Sequence, residues 1–390
     1  MLAIINGKLI IPTENDGSNF EVAEGKALII ENGRIKDIVP EAQAKNSADS
    51  CEIWDAKGLY VSPGFINIHI HGCFGADTMD DDAEAIHLMR KHLPSMGVTS
   101  FLPTTMTCTE DEIRKALGHI RSNIEETGAE YGAEVLGAYL EGPFISAAHK
   151  GSQEESNIRP ADFTMIEPFR DIIRYVVVAP EELKGDYSFV EKCENEGIIV
   201  SMGHTSATYD EALEAFNHGI CHVTHLYNAM SAFHHRNPGA VGASLDRDFV
   251  VELIADGVHC HAASQRTACR LKGDKLILIT DSCRAAGLGD GESELGGHRV
   301  FVKDQVARLA DGTIAAGVAS MNRVVKQFSQ ATGTAIPRAV ELATRTPAKE
   351  LGCLNERGII KPGCLANLTV FDEDVDIYAT FVEGRPVYQA

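Results

Sequence analysis

The 390 residues exceed what one hydrophobic core usually organises, which predicts a domain of roughly 250 residues with a smaller one of roughly 100 beside it. With 35 basic against 56 acidic residues the formal net charge is −21, which lacks the positive field needed to hold a polyphosphate backbone and speaks against nucleic-acid binding. At 44% hydrophobic and 23% charged, the composition is that of a globular chain, neither disordered nor fibrous.

The start, Met1 to Ile11, reads as short strand-like runs broken at Asn6, Gly7 and Lys8, without the basic start, apolar centre and small-residue cleavage site of a secretory signal. Apolar runs such as Lys275 to Ile279 stop well short of the roughly 18 residues a membrane-spanning helix requires. Ten cysteines (Cys51, Cys73, Cys108, Cys193, Cys221, Cys260, Cys269, Cys283, Cys353 and Cys364) are scattered without a close CxxC pair, as in reduced thiols. A soluble, cytoplasmic protein is therefore expected.

Residues 1–60 give the strand signals LAIINGKLII, KALIIENGRIKDIV and CEIWDAKGLYV, joined by Asn-Gly and Lys-Gly pairs that suit tight turns. Residues 351–390 repeat the style in GIIKPGCLANLTVFD and ATFVEGRPVY, so the two ends are expected to pair into one small β-sandwich domain. Between them, over residues 61–350, short apolar runs alternate with amphipathic stretches of helical length.

Eight runs can be counted: Phe65 to Ile70, Val98 to Pro103, Val135 to Leu140, Tyr175 to Val178, Ile198 to Met202, His222 to Leu226, Val250 to Ala255, and Leu276 to Thr280. Asp81 to Leu93, Glu110 to Glu126, Tyr209 to Asn217 and Ala319 to Ala331 are polar on one side, as covering helices should be. The pattern predicts an α/β fold, a (β/α)8 TIM-like barrel with the β domain as an appendage. A doubly wound open sheet is the alternative, but no GxGxxG follows an early strand to anchor a dinucleotide.

A barrel of this kind carries its site at the C-terminal ends of its strands. There the runs read NIHIHG (His69, His71), YLEGPF (Glu141), SMGHTS (His204), VTHLYNAM (His225) and LITDS (Asp281). His69 and His71 are two apart, and the pleat of a strand points both to one face, where two imidazoles can grip a metal; simple hydrogen bonding is the other reading. Imidazole and carboxylate suit Zn²⁺ or Fe²⁺, and four histidines with two carboxylates suffice for one or two ions. Glu141 can instead be a turn carboxylate, and His204 and His225 can be satisfied rim histidines, but all of these readings at once are hard to sustain. Asp281, at a strand rim, can bind the ion weakly and take a proton from water that the ion acidifies.

After the sixth run, backbone amides near Asn228 and Ala229, with Arg236, can receive an anion; a plain solvated loop is the alternative. After the seventh, ADGVHCH offers Asp256, His259 and His261 toward a substrate hydroxyl or carbonyl. His149, His234, His235 and Cys73 are taken as loop or packing residues.

Together PGFINIHIHG, LEGPF, GHTSA, THLYNAM, HHRNPG, ADGVH and LITDSCRAAGL resemble the N-acetylglucosamine-6-phosphate deacetylase family of the amidohydrolase superfamily, over almost the whole chain. The resemblance implies an amidohydrolase that cuts the acetamide of N-acetylglucosamine-6-phosphate to glucosamine-6-phosphate and acetate, with Asp281 as base and then acid. It implies that Glu141, His204 and His225 hold the main metal, and that His69 and His71 create a second site. It further implies that Asn228, the backbone of Ala229 and Arg236 bind the 6-phosphate, with Arg236 supplied across a homodimer, and that His259 contacts the sugar.

The chain departs from that family at three places. Gln153 stands where a histidine commonly contacts the amide carbonyl; as a substrate-binding residue its neutral amide can donate a hydrogen bond there but cannot become a cation, which shifts carbonyl polarisation toward the metal. Asn67 stands where an aspartate is frequent, and IAAGVASM differs from the usual Ala-Gly-Ser loop. Rival readings are N-acetylgalactosamine-6-phosphate as substrate, a cyclic amidase, and a non-catalytic sugar-phosphate-binding protein on the same barrel. The cyclic amidase is disfavoured because Glu141 holds the place where such enzymes usually carry a carboxylated lysine.

Overall fold

The computed structural model describes residues 1–13, 19–46 and 51–390. Among these, eight strands run parallel around one barrel: β1 (Phe65–Ile70), β2 (Val98–Pro103), β3 (Ala138–Phe144), β4 (Ile173–Val178), β5 (Ile199–Met202), β6 (His222–Val223), β7 (Val250–Ile254) and β8 (Leu276–Ile279). Ladders join β1 to β2 and then β3 through β8 in sequence order. A Thr104–Tyr139 bridge links the two groups. The ring closes where Asp281 N–H donates to the His69 carbonyl at 3.0 Å.

These strands are buried on both faces, which is why they read as near-continuous apolar runs. The pleat still sorts them. In β4, Val176 and Val178 pack toward the helices and Tyr175 and Val177 toward the barrel interior; in β8, Leu278 and Ile279 divide in the same way.

The covering helices start where their sequences supply caps. Thr109 and Glu112 form a capping box for α1 (Glu110–Glu125), as Thr208 and Glu211 do for α2 (Tyr209–Asn217). Helix α1 buries Ile113, Ala116, Leu117 and Ile120, the spacing of one helical face. The stretches expected at Asp81 to Leu93 and Ala319 to Ala331 form helices Glu84–His92 and Met321–Thr332. Helices Gly239–Asp246 and Ala262–Lys272, after β6 and β7, went unread in the sequence. Among the described residues no helix is long and apolar enough to cross a membrane.

Beside the barrel lie two β layers. Arg34–Pro40, Lys26–Glu31, Leu2–Ile5 and Glu52–Asp55 make one sheet. The other combines both chain ends: Tyr60–Pro63 pairs antiparallel with Leu368–Phe371, Ser62 opposite Thr369. Ile4, Leu9, Leu28, Val61, Leu368 and Phe381 share the core between the layers.

One element was not anticipated. After β8 the chain makes a four-stranded antiparallel meander, Gly291–Leu295, His298–Lys303, Val306–Arg308 and Ile314–Ala316. It packs through Leu295, Val300 and Ala307 onto Met106 and Cys283 at the barrel mouth.

Candidate metal centre and substrate cavity

Six side chains from five strand ends meet at the mouth. His204 and His225 leave β5 and β6 with φ of 46° and 30°, and Asp281 leaves β8 with φ of 47°. Left-handed backbone at non-glycine residues costs of order 1–3 kcal/mol each and persists where the surroundings over-determine it. Here they do. The His204 carbonyl accepts Ser146 N–H at 2.9 Å, His225 N–H donates to Glu252 Oε2 at 3.1 Å, and the Asp281 carbonyl accepts Gly317 N–H at 2.7 Å. A Cβ on Gly317 would stand 2.3 Å from the Thr280 carbonyl oxygen, so this close approach requires glycine.

Glu141, His204 and His225 form one group and His69, His71 and Asp281 another, the ligating atoms of each within 4.8 Å of one another. Glu141 lies between them. Its Oε1 is 3.2 Å from His204 Nε2, 3.0 Å from His225 Nε2 and 3.4 Å from His69 Nε2, and its Oε2 is 3.2 Å from His71 Nε2. Asp281 Oδ1 is 3.4 Å from His69 Nε2 and 3.2 Å from His71 Nε2. Burial by itself would raise the Glu141 carboxyl, but His204, His225 and His69 outweigh it and hold it well below the usual carboxylate range.

The far ring nitrogens of His204, His71 and His69 are held by the protein, whereas that of His225 is buried without a hydrogen-bond partner. His204 Nδ1 is 2.9 Å from the His149 carbonyl, His71 Nδ1 is 3.2 Å from the Thr104 carbonyl, and His69 Nδ1 is 2.9 Å from Glu252 Oε2. An N–H there leaves each Nε2 facing the cluster as a lone pair, the arrangement of metal-binding histidines. Two observations call for a cation among them. His69 Nε2 is buried without a hydrogen-bond partner, and the Nε2 atoms of His204 and His225 face each other at 3.1 Å. The donor set of imidazoles and carboxylates fits Zn²⁺ or Fe²⁺.

The cluster opens into a cavity of about 380 Å³. Gln153, Asn228, Ala229 and His259 line it with His71, Glu141, His204, His225 and Asp281, and Leu295 and Ile314 to Ala316 of the meander form one wall. His259 Nδ1 is 2.7 Å from Asp256 Oδ2; burial opposes a charge on this imidazole, but Asp256 wins and raises it. Arg236 is exposed, bonds to His235 Nε2 at 2.8 Å and does not line the cavity of its own chain.

Sequence reasoning missed the supporting contacts. His149, taken as a loop residue, contributes its carbonyl to His204, and a main-chain group leaves no mark in a sequence. Glu252 and His222 do leave one: an acid inside VVELI and a histidine opening β6, both 0% exposed.

The amidohydrolase family profile matches residues 60–387. The N-acetylglucosamine-6-phosphate deacetylase of Bacillus subtilis (strain 168) is 38% identical over 384 residues, 97% of this chain and 95% of that protein. The crystal structure of the N-acetylglucosamine-6-phosphate deacetylase of Pasteurella multocida superposes with a TM-score of 0.92 at 29% identity, covering 100% of both chains. The Mycobacterium smegmatis deacetylase, solved as a point mutant in complex with N-acetyl-D-glucosamine-6-phosphate, gives 0.88 at 27% identity over 100% of this chain and 99% of its own. The chain belongs to the amidohydrolase family, among the N-acetylglucosamine-6-phosphate deacetylases.

Proposed function

We propose that this chain hydrolyses the acetamide of N-acetylglucosamine-6-phosphate, giving glucosamine-6-phosphate and acetate, with one or two divalent cations, Zn²⁺ or Fe²⁺, as cofactor. The observation that carries the reading is the convergence of Glu141, His204, His225, His69, His71 and Asp281 in one cluster, all but His69 lining a single cavity. The names and near-complete overlap of the relatives support the sugar phosphate as substrate.

Glu141, His204 and His225 would hold one cation, and His69 and His71 a second, which when bound would supply Lewis acidity toward the carbonyl and the attacking water. Asp281 takes the proton of that water as the new C–O bond forms, then gives it to the nitrogen as the C–N bond breaks. His259, with Nδ1 occupied by Asp256, is left its Nε2 for a sugar hydroxyl. Gln153 stands against Glu141 at the cavity wall.

Asn228 and the backbone of Ala229 take the 6-phosphate in this reading. Arg236 completes that site from the neighbouring subunit of a homodimer. Its exposure, and its absence from its own cavity, are what such an exchange requires. Ten thiols without a disulfide fit a cytoplasmic enzyme of amino-sugar metabolism.

Acetate release by the purified protein, loaded with Zn²⁺ or Fe²⁺, tests the reading on three sugars: N-acetylglucosamine-6-phosphate, its galacto epimer and unphosphorylated N-acetylglucosamine. Fastest release from the first and none from the last is expected. Faster release from the epimer would exchange the substrate, and ion uptake with no release from any of them would leave a sugar-phosphate-binding protein.

A further inference from the structure

Strand β7 carries an acid among apolar residues. Val251 and Leu253 pack toward the helices, and the alternation that sends them outward sends Glu252 into the barrel, where it is fully buried. A carboxylate in such a place needs partners for every lone pair it directs at protein. Glu252 Oε2 lies 2.9 Å from His69 Nδ1 and accepts His225 N–H at 3.1 Å, and its Oε1 lies 3.2 Å from His222 Nε2. His222 in turn places Nδ1 2.8 Å from Glu350 Oε1. Burial opposes a charge on His222, but Glu350 and Glu252 on either side raise it to about 9, so at neutral pH it donates to both.

Glu252 therefore touches both groups of candidate ligands: the ring of His69 in one, and in the other the main chain of His225, at a residue whose φ is 30°. Resting on the reading of the cluster as a two-ion centre, we propose that Glu252 is a positioning residue shared by both ion sites, which fixes the His69 ring and the His225 turn and is itself clamped by His222 and Glu350. Three donors converge on its two oxygens. A glutamine in its place keeps the volume but offers one acceptor oxygen, and turns an N–H onto at least one of those donors.

The test uses the full chain, stripped of metal and titrated with Zn²⁺ against a chromophoric chelator, with the visible spectrum of the Co²⁺-loaded form as a second readout. The wild type is expected to take up two ions. Glu252→Gln is expected to bind both about 10- to 100-fold more weakly, the usual effect of removing a carboxylate partner of a metal-binding histidine, and to shift the Co²⁺ bands. Affinities within about twofold of wild type with an unchanged spectrum overturn the proposal, as does a loss confined to one ion. Should Glu252→Gln fail to fold, His222→Leu leaves both ligand contacts in place and removes the clamp. Weaker uptake of both ions then supports the proposal, and unchanged uptake overturns it. A wild type that takes up a single ion overturns the two-ion reading and the shared anchor with it, and that result comes before any variant is compared.

Discussion

Gln153 donates from Nε2 to Glu141 Oε2 across 2.7 Å, while its Oε1 accepts the Thr107 N–H at 2.6 Å and Nε2 also faces Met106 Sδ at 3.6 Å. Both polar ends of the amide are thus engaged by protein, and one of them steadies the carboxylate that stands between the two groups of ligands. A hydrogen bond to a charged group contributes about 1.5–3 kcal/mol. Gln153→Leu is expected to lower kcat/KM by about 10- to 100-fold, read by acetate release. An unchanged kcat/KM would remove Gln153 from the support of Glu141.

Asp281 is 3.2 Å from His71 Nε2, and the Gly317 amide and the His69 carbonyl hold its backbone in place. General acid and base catalysis by one positioned group contributes about 10²- to 10⁴-fold. Asp281→Asn should therefore reduce kcat by at least about 10²-fold with the metal content, measured by elemental analysis, nearly intact. Turnover close to wild type would end the proposed role.

For Arg236, exposed on its own chain, a mixing experiment is decisive. Alone, Arg236→Ala should raise KM for the phosphorylated sugar about 10- to 100-fold with kcat little changed, as expected when a bidentate contact to phosphate is lost. Mixed with Asp281→Asn under conditions that exchange subunits, it should regain activity, since half of the hybrid's sites then combine an intact Asp281 with a partner's arginine. Hybrids no more active than the sum of the parents would place Arg236 outside the neighbour's site.

What was legible in the sequence follows from periodicity. Tyr209–Asn217 could be read to the residue because it is polar on one side, and the Thr208–Glu211 capping box starts the helix where that pattern begins. His69 and His71 stood out because a strand repeats every second residue. The meander could not be read: its strands are three to six residues long, with Leu295 the one buried residue of GESEL and Val300 and Val302 the buried residues of HRVFVK. Helix Gly239–Asp246 was hidden for the opposite reason, since Gly239 to Ser244 are all buried and show no polar side. Strand β3 starts at Ala138, Val135 lying in the separate strand Glu134–Val135, and runs on through Glu141 to Phe144, beyond the end of the apolar run at Leu140.

Outside the site, the Thr208 side chain accepts the Glu211 N–H while Glu211 reaches back to the Thr208 N–H at 2.8 Å. Thr208→Ala should cost about 1 kcal/mol of stability, read from chemical denaturation, with kcat unchanged. A loss well above about 2 kcal/mol, the upper end for a helix cap, would show that the cap also supports the neighbouring His204 turn.

Hydrolysis by this chain is proposed to run on a cation held by these buried imidazoles and carboxylates. This is tested most directly by stripping the protein of metal, adding back Zn²⁺ or Fe²⁺ in measured steps, and following acetate release from N-acetylglucosamine-6-phosphate. Release should be absent at the start, rise with the ions bound per chain, and level off at one or two. Full release from the stripped protein, or none at saturation with either ion, would contradict it.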